Sequence, residues 1–198
     1  MKKKTAVVKD RPPRPKRIDA QRKLDSLLKA ATKVFAESGV DAPVRDIAQR
    51  AGVGLGTVYR HFPQRSDLIV AVFQSNVDAC AEAAALLADQ YPPITALSLW
   101  VERYVDFIGT KAGLCKALSS GDPAYKALPE YFNKRLRPAL RTLLDAAVEA
   151  HAVRAGMDPD DLLVAVANLC SAGYGRDPRH AHRMARLLVD GLRYGAPD

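Results

Sequence analysis

The stretch RDIAQRAGVGLGTVYRHF, residues Arg45–Phe62, places three glycines within five positions. Clusters of this kind cradle phosphates in nucleotide-binding loops, where they follow a buried strand and open a helix. Here the preceding segment has helical periodicity: Val44, Ile47, Ala48 and Ala51 recur at i, i+3, i+4 and i+7. Thr57 stands where a GxGxxG fingerprint needs its last glycine, and no Gly-Lys-Ser/Thr follows for a Walker loop.

The spacing instead predicts two short helices about a tight turn. Asp41 or Ala42 caps the first, with Pro43 in its first turn, where a missing N–H does no harm. Gly52 is expected to stop it in the left-handed conformation that glycine adopts at least cost. The second helix is expected from Leu55 to Phe62, with Val58 and Phe62 packed inward onto Ile47, Ala48 and Phe35. Two helices joined steeply by so short a turn form the DNA-binding helix-turn-helix. That leaves Leu55, Gly56, Thr57, Tyr59, Arg60 and His61 on other faces. Hydroxyl, phenol, guanidinium and imidazole groups suit phosphate oxygens and base edges, and Gly56 lets the backbone approach closely.

Charge points to a polyanion at one end only. The 198 residues carry a net +8. Residues 1–65 hold sixteen Lys/Arg against six Asp/Glu, and residues 66–198 hold fourteen against sixteen. The first third is therefore basic and the rest near neutral. The opening MKKKTAVVKDRPPRPKR lacks apolar periodicity, so residues 1–17 are expected to form a disordered basic arm. The arm is either a solubilising tail or a segment that lies along phosphates or in a minor groove. Arg14, Lys16 and Arg17, nearest the folded part, are its candidate contacts.

Everything after Ile18 reads as helix. Leu24, Leu27, Leu28, Ala31 and Phe35 share one face of a helix ended by Gly39. Leu68 to Leu87 marks a long helix that stops before Pro92-Pro93, and Leu97 to Ile108 marks another. Asp122-Pro123, Asp158-Pro159 and Asp177-Pro178 are three further helix starts, since aspartate caps the first turn and proline fits it. The expected architecture is all-α with about nine helices: a helix-turn-helix domain over 18–65 and a larger domain over 66–198. No apolar run is expected to cross a bilayer, and the basic N-terminus lacks the apolar segment of a secretory signal. Cys80, Cys115 and Cys170 are odd in number and widely spaced, so they read as reduced thiols of a cytoplasmic protein.

The segment IAQRAGVGLGTVYRHFPQRSDL, Ile47–Leu68, resembles the DNA-binding domain of the tetracycline-repressor (TetR) family, whose pattern reads roughly IA..AGVS.GTLY.HF..K..L. CKALSSGDPAYKALPEYFNKRLRPAL, Cys115–Leu140, is similar to one subgroup of TetR-type ligand domains. Three positions depart from the pattern. Gly54 replaces a frequent serine, Ala42-Pro43 replaces a threonine that caps the second helix and touches phosphate, and Gln64 replaces a capping serine. A lost cap typically costs about 1 kcal/mol.

The resemblance implies roles residue by residue. Arg45 reaches a base or a phosphate. Leu55 and Gly56 sit at the groove-facing start of the recognition helix. Thr57, Tyr59 and His61 contact phosphates or base edges, unless Tyr59 is partly core and His61 a helix cap. Arg65 grips the DNA backbone. The larger domain is implied to bind a small-molecule effector and to dimerise. Phe73, Trp100, Tyr104, Phe107, Cys115, Tyr125, Phe132 and Asn168 are pocket candidates, although aromatics at helical spacing also build ordinary core. Leu163, Val166, Leu169 and Cys170, with Leu187, Leu188 and Leu192, are dimer candidates, or they pack within one subunit.

The expected function is a ligand-responsive regulator, a repressor binding a palindromic operator as a homodimer. Two alternatives stand beside it: a non-specific nucleic-acid-binding protein, and an enzyme using the pocket. No HExxH, GxSxG or paired-Cys spacing occurs, so no catalytic residue, metal or cofactor is expected. Ser119-Ser120-Gly121-Asp122 reads as the loop before an Asp-Pro cap.

Overall fold

A computed structural model describes residues 15–112, 114–171 and 178–194. Within them the chain is all-α. The helices are α1 (Pro15–Ser38), α2 (Val44–Ala51), α3 (Leu55–His61), α4 (Arg65–Gln90), α5 (Pro93–Ala112), the single turn α6 (Cys115–Leu118), α7 (Leu128–Glu149), α8 (Pro159–Ser171) and α9 (Pro178–Leu192), with a 3-10 turn at Pro123–Tyr125. Helix α1 starts three residues before the expected Ile18. Arg14 and residues 1–13 lie outside the described residues, as do the side chains of Lys16, Arg17 and Cys115.

Each helix ends for a local reason. Gly39 (φ +75°) and Gly52 (φ +66°) take the left-handed region after α1 and α2. The Val53 N–H reaches back to the Ala48 carbonyl at 3.0 Å, completing the wrapped stop of α2. Pro43 is the N-cap of α2 rather than part of its first turn. Its ring leaves no side-chain acceptor, so the Asp46 N–H bonds to the Pro43 carbonyl at 3.0 Å instead. Aspartate caps operate at Asp122, which accepts from the Ala124 N–H at 2.9 Å, and at Asp158, which accepts from the Asp160 N–H at 2.7 Å. The first of these opens only the 3-10 turn; the long helix begins at Leu128. Asp177 lies outside the described residues.

Helix α4 joins the two parts of the molecule. It packs on α1, where the Thr32 hydroxyl donates to Asn76 at 3.2 Å, and on α5, α7 and the 3-10 turn. By length and composition α4 is apolar enough to cross a membrane, contrary to the sequence expectation. Leu68, Val72, Phe73, Val77 and Cys80 are, however, buried against those neighbouring helices. Trp100 is fully buried, its ring stacked on Tyr104 at 5.7 Å, and its Nε1 donates to the Cys80 carbonyl at 2.9 Å. A buried indole N–H without an acceptor would be costly. Burial also pushes the Cys80 thiol up to about 12. Cys80 and Cys170 are free and buried.

The turn between α2 and α3 tests this account. A methyl on Gly52 would meet no atom within 4 Å, so its cost is backbone alone. Gly52→Ala is expected to lower unfolding free energy by about 1–2 kcal/mol. Gly54 is the N-cap of α3 at φ −70°, open to a side chain. Gly54→Ser is expected to raise stability by about a few tenths of a kcal/mol. Urea denaturation of the two variants should give shifts of opposite sign.

Candidate nucleic-acid interface

The turn that ends α2 aims α3. Val58 is buried against the core that holds Phe35, Ile47 and Ala48, and half-buried Phe62 closes the helix behind it. With Val58 inward, the opposite side of α3 faces solvent. Leu55, Gly56, Tyr59, Arg60 and His61 are exposed, Tyr59 at 51% of its surface. Thr57 is only half-buried. Arg45, in the first turn of α2, is exposed as well. No Asp or Glu occurs between Asp46 and Asp67. The face therefore combines two cationic or titratable groups with a phenol and no nearby acid on its own helix, chemistry that suits phosphates and base edges.

Arg65 does not present its guanidinium as the sequence suggested. Its Nε donates to the Val40 carbonyl at 2.5 Å, and its terminal nitrogen donates to the carbonyls of Val40 and Ala42. The side chain ties the start of α4 to the turn between α1 and α2. The carbonyls of Val40 and Ala42 lie between α1 and α2, outside either helix, and Arg65 supplies their donors. The other expected loss of a cap is also offset: the Gln64 N–H bonds to the Asp67 carboxylate at 2.9 Å, half of a capping box. Arg50 reaches Glu37 at 2.6 Å and adds an exposed link between α2 and α1.

The pocket candidates separate into two groups. Phe73, Tyr125 and Phe132 line a cavity of about 340 Å³ between α4, the 3-10 turn and α7. Trp100, Tyr104 and Phe107 form the stacked core beside it and are not among its lining residues. Asn168 is exposed, because the apolar face of α8 turns the other way. Leu118, Ser119, Leu128, Pro129 and Asn133 complete the lining. They carry no distinctive periodicity, and only the fold of residues 114–133 assembles them.

The dimer candidates divide in the same way. Leu163, Val166, Cys170 and Leu192 are buried within the protomer, so they cannot be its outer face. Leu169 and Leu187 are exposed, with Leu188 half-buried. Val164, which sequence reasoning passed over, is 58% exposed and Leu187 65%. Met157, Met184, Leu187 and Leu188 line an apolar groove of about 310 Å³ between α8 and α9. Among the described residues no cluster of metal-ligating side chains occurs.

The position of Arg65 gives a measurable distinction. Arg65→Ala is expected to destabilise the chain by about 1–3 kcal/mol, because buried carbonyls lose their donor. It should weaken DNA binding without changing its salt dependence. A lost phosphate contact would instead lower the salt slope by about 1, which DNA titrations over a range of salt concentrations resolve.

Comparison with known proteins agrees with this geometry. Residues 27–72 match the family described as bacterial regulatory proteins, tetR family. Residues 92–194 match the transcriptional regulator SbtR-like C-terminal domain. A TetR transcriptional regulator of Streptomyces coelicolor is 36% identical, with 87% of this chain and 99% of that one covered and a TM-score of 0.77. A TetR regulatory protein of Mycobacterium vanbaalenii is 33% identical, covering 90% and 99%, with a TM-score of 0.69. An HTH-type transcriptional regulator of Staphylococcus aureus is 36% identical over 76 residues, or 38% of this chain, and the match spans 41% of that curated relative's length. A chain whose two parts match both halves of such regulators, and whose α2 and α3 build the helix-turn-helix, belongs to the TetR family of DNA-binding, non-enzymatic transcriptional regulators.

Proposed function

We propose that this regulator is a homodimeric repressor. It reads a palindromic operator with α3 and is released when a small molecule occupies its larger domain. The acid-free, exposed face of α3 carries this reading. Tyr59, Arg60, His61 and Thr57 contact base edges and phosphates, Leu55 and Gly56 lie against the groove, and Arg45 adds a contact from α2. The charges of Arg14, Lys16 and Arg17 in the sequence support further phosphate contacts from the N-terminal arm. Action on the bacterial chromosome places the protein in the cytoplasm.

A seven-residue helix reads few base pairs, so a second copy is needed one groove further along, about 34–36 Å away. Exposed Leu169 and Leu187, which share the apolar groove between α8 and α9, support such pairing, since exposed apolar patches mark association sites. LfrR of Mycobacterium smegmatis, 26% identical with a TM-score of 0.65, was solved in complex with proflavine. That complex supports a small-molecule effector here. A ligand releases DNA only as far as it prefers the conformer with the wrong spacing.

Selecting bound sequences from a random duplex pool is expected to recover an inverted repeat. Tyr59→Ala should then weaken operator binding far more than binding to unrelated duplex. Equal losses on both, or a pool with no enriched motif, would favour a non-specific nucleic-acid-coating protein. Leu187→Glu is expected to yield monomers in analytical ultracentrifugation, with operator affinity reduced and α-helical content retained. A variant that remains dimeric would place the interface elsewhere.

A further inference from the structure

The cavity between α4, the 3-10 turn and α7 combines an apolar floor with an uncharged rim. Phe73, Tyr125 and Leu128 are buried at its base. Half-buried Phe132 flanks them, its ring 6.0 Å from that of Phe107. Ser119 and Asn133, both exposed, stand at the edge. Among the described lining residues no side chain carries a charge. Burial, and then the nearby Asp122, pushes the Tyr125 hydroxyl above its ordinary range.

We infer that this cavity takes an uncharged, ring-bearing molecule that offers one hydrogen-bonding group to Ser119 or Asn133 at the rim. Its volume of about 340 Å³ suits a bicyclic or slightly larger ligand. Aromatic walls favour a planar apolar body through offset and edge-to-face packing. A charged group seated among the floor rings would give up hydration and find no counter-charge among the described lining residues. The regulatory meaning of the site rests on the effector half of the proposed function, whereas the binding chemistry rests on the cavity alone.

A charge-matched series tests it on the full chain: 2-naphthamide, 2-naphthoate and 2-naphthylmethylammonium, titrated by calorimetry at pH 7. The amide is expected to bind at least about tenfold more tightly than either ion, the scale set by burying an unpaired polar group. Asn133→Asp changes an exposed rim residue and should leave the fold intact. It is expected to improve binding of the ammonium analogue and weaken that of the amide. A charged analogue that binds the natural chain as tightly as the amide would overturn the inference. So would no binding by any of the three, or an Asn133→Asp chain that treats all three as before. Operator affinity measured with and without 2-naphthamide keeps the two readings apart. Tight amide binding that leaves operator affinity unchanged supports the cavity assignment and removes the sensing role.

Discussion

Gly52 sits at φ +66° and ψ +31°, and the direction of α3 depends on it. A residue in the left-handed region turns the chain sharply while its own N–H still bonds to carbonyls of α2. Two positions later α3 begins, with Val58 directed into the core. The polar face of α3 is thereby set by a backbone angle and one buried valine, rather than by contacts among the polar residues themselves. Those residues remain available to solvent or a partner. Arg65 supports the same unit from the far side, holding the α1–α2 turn through the carbonyls of Val40 and Ala42.

The larger part of the molecule is organised around α4 and a run of rings. Trp100, Tyr104, Phe107 and Phe132 follow one another at centroid distances near 6 Å, from the deep core to the wall of the cavity. Phe73, on α4, meets Phe107 edge-on at 6.0 Å. The Tyr104 hydroxyl donates to the Leu163 carbonyl at 3.3 Å and so couples α5 to α8. Exposed ion pairs between α5 and α9, Glu102 with Arg186 at 2.6 Å, add little beyond this packing.

Cavity and reading head share a neighbour. Tyr125 lies in the cavity floor, and the charge of Arg65 acts on its hydroxyl, opposing the rise that burial causes. The same Arg65 secures the turn that leads into α2. The 3-10 turn packs on α4, and Arg65 at the start of α4 holds the α1–α2 turn.

Local physics was legible in the sequence. The turn at Gly52, the limits of α2 and α3 to within a residue, the inward register of Val58, and the exposure of Tyr59, Arg60 and His61 all follow from 3.6-residue periodicity and the φ preference of glycine. Asp122 and Asp158 were readable as caps for the same reason: their partners lie two residues away. What stayed hidden depends on residues distant along the chain. Arg65 reads as a free cation until Val40 and Ala42, more than twenty residues earlier, are brought beside it. Leu163 and Val164 are adjacent leucine-like residues, and only the packing of α5, α7 and α9 around α8 buries one and exposes the other. Trp100 and Phe132 carry equivalent aromatic signals, yet one is sealed in the core and the other lines a cavity. Sequence alone therefore determined the helices, their stops and the polar face of α3. Tertiary structure alone decided which apolar faces meet one another, which remain open, and where a cavity is left between them, because burial belongs to pairs of elements and not to either one.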